Sequence, residues 1–269
     1  MGAIDIDRRI EGDDLAIVTA RDSSGRLLAT SHARRGNETW SIEVDVEPGV
    51  EERREVLSPL IESTLRLIKE RGGRTVHWWA NRSGAAERAV AAEHGLRQVR
   101  ELMQMRRPLP LEPETEAAAD GFVVRAFLVG RDEDAWLRAN NRAFADHPEQ
   151  GAWTDADVWE REGQPWFDPD GFLLHEIDGQ LAAFCWTKVH ADHDPPLGEI
   201  YVIAVDPAFH GRGLGRAMTV AGLHSLAARG ITVGMLYVDA ANVPAVSLYY
   251  DLGFTVHEVQ RAFVLDPPD

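Results

Sequence analysis

Three glycines alternate with larger residues in the segment HGRGLGR, at positions 210–216. Glycine loses more backbone entropy on folding than any other residue, so we expect that something approaches this backbone closely. A strand-like run precedes the loop and a helical run follows it, and the first N–H groups of a helix bind anions. The segment therefore predicts a phosphate-binding loop, and a tight turn that only packs the helix is the alternative.

The loop differs from the two commonest nucleotide-binding sequences. It lacks the lysine and hydroxyl of a GK[ST] P-loop, and its G-x-G-x-G spacing is not the G-x-G-x-x-G of dinucleotide folds. A dinucleotide fold would also place the loop after its first strand. Neither ATP nor a nicotinamide cofactor is therefore expected.

Few other side chains have the types and spacing that fit catalysis. Glu199 is a lone carboxylate that begins the apolar segment 198–207, where it is placed to act as a general base, directly or through water. A solvated glutamate at a strand end is the alternative. The spacing of His147, His190 and His193 matches no common zinc site, so we expect no metal and treat them as solvated loop histidines.

The elements that must position these residues follow from hydrophobic periodicity. Residues 121–266 predict the order β-α-α-β-β-β-α-β-α-β, with a hairpin turn at Asp178-Gly179 and a helix that ends at Gly230. The segment 198–207 is almost continuously apolar, which is typical of a central strand buried on both faces. The expected fold class is therefore α/β with a mixed sheet.

The first half repeats the latter part of that order, with its own hairpin turn at Ser24-Gly25. We infer an internal duplication in which the first copy lacks the opening strand and two helices. Residues 108–120 are rich in proline, acid and alanine, and they predict a linker. The expected domains are therefore 1–107, a degenerate and shortened copy, and 121–269, the catalytic copy.

Composition limits the partners and the compartment. The formal net charge is −16, from 28 basic and 44 acidic residues, so nucleic acid would be repelled. The single cysteine, Cys185, excludes an intrachain disulfide, and we expect it to pack in the core rather than act as a nucleophile. Because the sequence shows no signal peptide and no apolar run of about 18 residues, we expect a cytoplasmic protein without membrane contact.

The run from Ile203 to Ala217 resembles the GCN5-related N-acetyltransferases, the GNAT family. Their Q/R-x-x-G-x-G/A loop binds the pyrophosphate of acetyl-CoA, and His210 stands here in place of Gln or Arg. The segment LYVDAANVPAVSLYYDLGF, at residues 236–254, resembles the next element of the family, in which Asn-x-x-A-x-x-x-Y precedes LGF. The resemblance implies two tandem GNAT-type domains and direct acetyl transfer from acetyl-CoA to an amine.

The same resemblance implies an acid and a set of acetyl-CoA contacts. Tyr249 would protonate the departing thiolate, and a one-residue slip in the alignment would give that role to Tyr250. The implied acetyl-CoA contacts lie at a strand end, in the glycine loop and around the next helix start, and they are Ile203, Ala204, Val205, His210, Gly211, Arg212, Gly213, Leu214, Gly215, Arg216, Asn242, Val243, Pro244, Ala245, Val246 and Ser247.

Several longer stretches, including 140–154 and 185–207, resemble a tandem-repeat branch of the family that acetylates the cysteine amine of a cysteinyl-glucosamine-inositol precursor. The acceptor contacts that this closer resemblance implies are Glu149, Lys188, Glu199 and Tyr237. As alternatives, Glu149 could cap the helix near Thr154, and Lys188 could be an exposed lysine that protects a sheet edge.

Two features depart from that branch. Its members have helices before the first hairpin that contribute a carboxylate to the acceptor site, whereas this sequence begins near the hairpin; either its start is late or its site is built differently. In the first copy, Glu51, Glu52 and Glu55 occupy the place of a pyrophosphate loop, and an acidic helix start repels phosphate. We therefore expect that the first domain binds no acetyl-CoA and instead walls the substrate cleft.

Three functional hypotheses follow. The first is a monomeric, acetyl-CoA-dependent N-acetyltransferase that acts on the small-molecule precursor. The second keeps the fold but takes another acceptor, such as an amino acid, an antibiotic or a peptide amino terminus. The third is a non-catalytic regulatory protein that binds acetyl-CoA.

Overall fold

The computed structural model describes residues 3–12, 14–36, 39–116, 119, 121–145 and 152–266. These residues form two compact units. The first unit comprises described residues within Met1–Gln104, Val238–Val243 and Val256–Asp269, and the second comprises those within Met105–Tyr237 and Pro244–Thr255. The division into domains 1–107 and 121–269 stays a prediction.

The first unit is a sheet covered by two helices. Its elements are β1 (Asp5–Glu11), β2 (Leu15–Arg21), β3 (Leu27–Arg35), β4 (Thr39–Val46), α1 (Arg53–Glu70), β5 (Thr75–Ala80), α2 (Ala85–Glu93), the first part of β6 (Arg97–Pro108) and most of β12 (Thr255–Leu265). Strands β1 to β4 pair antiparallel in sequence order, and β5 pairs in parallel with β4 and antiparallel with β12. The parallel pairing of β4 with β5 needs a crossover connection, which α1 supplies.

Helix α1 packs its apolar stripe into the core of this unit. Val56, Leu60 and Leu67 recur at helical spacing and are buried. They belong to the same cluster as the buried indoles of Trp40 and Trp78. Burial of these large side chains is the main source of stability for the unit, because the hydrophobic effect grows with the apolar area removed from water.

The prediction that the first copy lacks an opening strand is wrong. Residues Asp5–Glu11 form β1, which pairs antiparallel with β2 from Asp5↔Arg21 to Glu11↔Leu15. The strand is charged and almost fully exposed, so it shows none of the apolar alternation that marks a strand in a sequence. Only three residues separate β1 from β2, so there is no room for a helix between these two strands.

The second unit carries the candidate site. Its elements are the end of β6, α3 (Pro113–Glu116), β7 (Arg125–Ala126), α4 (Glu133–Ala143), α5 (Asp155–Glu162), β8 (Phe172–Ile177), β9 (Gln180–His190), β10 (Leu197–Val205), α6 (Leu214–Ala228), most of β11 (Val233–Asp239) and most of α7 (Val243–Asp251). Short 3-10 turns cover Pro169–Gly171 and Pro207–Phe209. The strand order is β11-β10-β9-β8-β7, so β10 is an interior strand with a partner on each edge, as the sequence predicts.

Most local signals of the second unit are confirmed. Asp178 and Gly179 have φ values of 51° and 73°, and positive φ at both positions is what a type I′ hairpin turn needs. Helix α6 ends just before Gly230, whose φ is 80°. Two segments differ: the predicted strand 121–127 is reduced to β7, and the predicted linker 108–120 contains the short helix α3.

Helix α6 lies very close to β9 and β10. A Cβ atom on Gly222 would stand 2.5 Å from Cys185 Sγ and 2.7 Å from Ile200 Cδ1, and a Cβ atom on Gly198 would stand 2.7 Å from Leu226 Cδ2. Cys185 is buried, and burial raises the pKa of its thiol well above the usual range. It therefore packs in the core and lacks the thiolate that a nucleophile needs, as predicted.

A carboxyl pair between α4 and α5 makes stability depend on pH. Glu162 Oε1 is buried with no hydrogen-bond partner among the described residues. Burial first, and the nearby Glu133 second, raise the pKa of Glu162 from 4.5 to about 7. Because the folded pKa lies above the unfolded one, the destabilisation is absent below pH 4.5 and complete above about pH 7.

We therefore expect Glu162→Gln to raise Tm at pH 8 by about 2–4 °C, the shift that about 1 kcal/mol gives in a protein of this size. The increase should be much smaller at pH 5, where the native carboxyl is already protonated. Thermal unfolding followed by circular dichroism at both pH values tests this. The control is Glu160→Gln on the exposed side of the same helix. An equal increase at both pH values would contradict the assignment.

Candidate active site

Strand β10 holds the predicted base, Glu199, in the interior of the unit. Only 7% of Glu199 is exposed, so it is not the solvated strand-end glutamate of the alternative interpretation. It pairs with Lys188 of β9 on one side and Met235 of β11 on the other. The site is therefore built on the interior strand β10 and its neighbour β9.

The end of β10 offers backbone groups to a ligand. Within the second unit, pairing with β11 runs from Leu197↔Val233 to Ile200↔Leu236, although β10 continues to Val205. The three predicted contacts at this strand end, Ile203, Ala204 and Val205, pair with β9 on their other edge and are half-buried. A β-bulge at Tyr201 shifts the register just before them, and such bulges re-aim side chains next to active sites.

The ammonium of Lys188 is held by two aromatic rings. Its Nζ lies 4.6 Å from the ring centroid of Trp166 and 5.5 Å from that of Tyr201. Cation–π contacts of this kind fix a lysine that would otherwise sample many rotamers. Lys188, Trp166 and His190 line a cavity of about 690 Å³, which a small polar molecule would fit.

Glu199 has a partner that the sequence interpretation missed. His190 Nε2 lies 2.7 Å from Glu199 Oε2. Because an ionised carboxylate only accepts hydrogen bonds, the imidazole donates its Nε2–H. His190 is therefore not a solvated loop histidine; it ends β9, in register with Leu197, and Glu199 lies two residues further along β10 on the same face. That cross-strand register was the only signal that could have predicted the contact.

The glycine loop has the backbone that a phosphate site needs. Gly211 and Gly213 have φ values of 78° and 73°, and a Cβ atom on either would meet no atom within 4 Å. Gly213 caps α6, a helix of 15 residues. The first N–H groups of α6 and the positive end of its dipole point at the open space around the two glycines. The Nε2–H of His210 donates to the carbonyl of Val205 at 3.0 Å and anchors the loop to β10. The residues present fit a bound pyrophosphate.

The remaining loop residues differ in their contacts. The Arg212 guanidinium lies 5.3 Å from the ring centroid of Phe209, and Arg216 pairs with Asp251 at 3.2 Å. Leu214 and Gly215 form the first turn of α6. Of the predicted contacts around the start of α7, Ala245 and Val246 are half-buried, and the exposed ones are Asn242, Val243, Pro244 and Ser247.

The two adjacent tyrosines of α7 lie in opposite environments. Tyr249 is buried, with its ring 5.7 Å from that of Phe254, whereas Tyr250 is 50% exposed. Burial first, and Cys185 second, raise the pKa of Tyr249 above its usual range, so its phenol keeps its proton. Of the other predicted acceptor contacts, Tyr237 is 39% exposed on β11, and Glu149 lies outside the described residues.

In the ranges that the structure describes, no group of three or more His, Cys, Asp or Glu side chains converges as metal ligands would. No helix within those ranges is both long and apolar enough to span a membrane.

Residues 135–254 match the Acetyltransferase (GNAT) family. The chain is 51% identical over 205 residues to the mycothiol acetyltransferase of Thermomonospora curvata, covering 76% of this chain and 68% of that protein. It is 45% identical over 233 residues to that of Catenulispora acidiphila, covering 85% and 72%, and 49% identical over 192 residues to that of Streptomyces griseus, covering 71% and 62%. These matches thus span roughly two thirds of each relative.

Two solved structures share the fold. A GCN5-related N-acetyltransferase from Sphaerobacter thermophilus superposes with a TM-score of 0.71 at 22% identity, over 96% of this chain and 82% of that one. A tandem GNAT protein from the clavulanic acid biosynthesis pathway superposes with a TM-score of 0.59 at 16% identity, over 95% and 84%. The predicted α/β class and mixed sheet are confirmed.

Proposed function

Because the chain belongs to the mycothiol acetyltransferases of the GNAT family, we propose that it acetylates the cysteine amine of a cysteinyl-glucosamine-inositol precursor with acetyl-CoA. It is an acetyltransferase, and tandem GNAT proteins are among the structures that share its fold. The observation that supports the proposal best is a buried carboxylate, Glu199, on the strand that leads into an open glycine loop.

The acetyl-CoA site would be formed by three groups of residues. The N–H groups of Gly211 to Arg216 would bind the pyrophosphate, the backbone of Ile203 to Val205 the pantetheine and thioester, and residues 244–247 another part of the acetyl-CoA molecule. When bound, acetyl-CoA supplies the acetyl group as a reactive thioester. In the first unit, α1 begins at Arg53 behind Glu51 and Glu52, so we keep the prediction that this copy does not bind phosphate.

The chain's own groups would then move two protons. Glu199 accepts the proton of the acceptor ammonium, which frees the nitrogen lone pair. The Oη of Tyr249 holds the proton that the departing thiolate needs. Lys188, with Tyr237 and Glu149, would bind the hydroxyls of the acceptor. The cytoplasmic location and the monomeric state stay predictions.

Substitution of the loop glycine tests the acetyl-CoA site. We expect Gly213→Val to raise KM for acetyl-CoA about tenfold or more, since a side chain at positive φ costs about 1–2 kcal/mol of strain and fills the open space. The matched control is Gly230→Val, because Gly230 has a similar φ at the other end of α6 and equally open surroundings. Steady-state kinetics on both variants, at equal Tm, separates binding from folding; an equal KM increase in both would contradict the site.

The acceptor is tested by mass spectrometry with acetyl-CoA and the precursor. We expect the N-acetyl product and an equal amount of free CoA. Release of CoA with simple amines but not with the precursor would show that the site takes another acceptor. Binding of acetyl-CoA without turnover of any amine would instead support a regulatory protein.

A further inference from the structure

We propose that His190 is a positioning residue that fixes the carboxylate of Glu199 for removal of the acceptor's proton. The inference rests on the proposed function, because the proposed function assigns Glu199 as the base. It adds a residue that neither the glycine-loop motif nor the resemblance to the family assigns.

The contact has the geometry of a strong hydrogen bond. His190 Nε2 and Glu199 Oε2 are 2.7 Å apart, within the range of charge-assisted bonds. The side chain of Glu199 is 9% exposed and that of His190 21%, so water competes little for the bond. No other described residue donates to this carboxylate, so His190 is its one protein donor in the part of the chain that the structure describes.

This single donor would do two things for a base. The imidazole N–H gives a hydrogen bond to a carboxylate that burial has removed from most of its water. The bond also occupies Oε2 and restricts rotation of the carboxylate, which leaves Oε1 as the oxygen that takes the proton. General-base catalysis depends on hydrogen-bond reach to that proton, so a loosely held carboxylate would react more slowly.

The other ionisable side chains near His190 lie along the same cavity. The ring of His193 is 6.1 Å from that of His190, and Lys188 and Asp192 line the cavity beside it. Asp168 and Arg229 line it too, but they pair with each other at 2.8 Å. Among the described residues, none of these side chains forms a hydrogen bond or ion pair with the Glu199 carboxylate, so His190 is the one placed to act through it.

Two variants of His190 test the role. His190→Leu removes the donor, and we expect kcat with the precursor to fall about 10-fold to 100-fold, a part of the 10²–10⁴-fold that a general base contributes. KM for acetyl-CoA should stay within about twofold. His190→Gln places an amide N–H the same number of bonds from Cα and should keep kcat within about threefold of wild type. His193→Gln serves as the control on the neighbouring histidine.

A double-mutant cycle shows whether His190 acts through Glu199. In the Glu199→Gln background, His190→Leu should cause little further loss, because the base it positions is already gone. A further loss of the same factor would overturn the proposal, and so would a kcat for His190→Leu near that of wild type. Equal losses in the Leu and Gln variants at unchanged Tm would also overturn it, since the donor would then not matter.

The outcome separates this inference from the proposed function. If wild type does not turn over the precursor, the proposed function fails, and this role fails with it. If wild type turns over and His190→Leu does too, only the inference fails. An independent spectroscopic check uses the full chain labelled with ¹⁵N: a slowly exchanging Hε2 resonance of His190 is expected in wild type and should be lost in Glu199→Ala. Its absence from wild type would overturn the contact itself.

Discussion

Glu199→Gln is expected to lower kcat for amine acetylation by about 10²–10⁴-fold, the usual contribution of a general base. The amide has nearly the same shape as the carboxylate but cannot take a proton from the acceptor ammonium. KM for acetyl-CoA should change little, because the glycine loop and not Glu199 would bind the pyrophosphate. Steady-state kinetics with the precursor at saturating acetyl-CoA measures both quantities.

The pH profile makes this prediction sharper. An α-amino group loses its proton in solution near pH 8, so above that pH the acceptor needs less help from a base. The deficit of Glu199→Gln should therefore shrink as the pH rises through about 8. A deficit that is constant with pH, at unchanged Tm, would indicate that Glu199 binds the acceptor rather than deprotonates it. A variant as active as wild type would show that another group is the base.

The parts of the site that the sequence predicts are those with local signals. The hairpin turn at Asp178 and Gly179, the start of α6 at Gly213 and its end at Gly230 all need positive φ, which points to glycine or a small polar residue. The strand β10 is recognisable because it is apolar along nearly its whole length. Such features depend on neighbours in the chain, so they can be predicted without knowledge of the tertiary structure.

The parts that the sequence does not predict depend on pairing between distant segments. The bond from His190 to Glu199 requires the register of β9 against β10, on one side of a bulge at Tyr201. Strand β1 is held by its backbone pairing with β2, so its charged side chains carry no pattern. Strand β12 was predicted as a strand, but its partner β5 lies far earlier in the chain.

The second large effect concerns the adjacent tyrosines. We expect Tyr249→Phe to lower kcat about 10-fold to 100-fold, at the low end of general-acid effects, because the departing thiolate loses its proton donor. Tyr250→Phe should leave kcat within about twofold, since surface substitutions away from such contacts have small effects. The variants differ from wild type by one oxygen atom each, so they are matched controls for one another. Rates with the precursor, together with Tm, give the comparison.

The buried position of Tyr249 determines the pH range in which it can act as an acid. Its pKa is raised above the ordinary value of 10, so the phenol stays protonated through neutral pH and is available to protonate the thiolate as it departs. At pH values below about 10, activity should therefore show no decrease caused by loss of this proton. If Tyr250→Phe were the impaired variant, the roles of the two tyrosines would exchange. Because Tyr250 is half exposed, the acid would then be accessible to solvent.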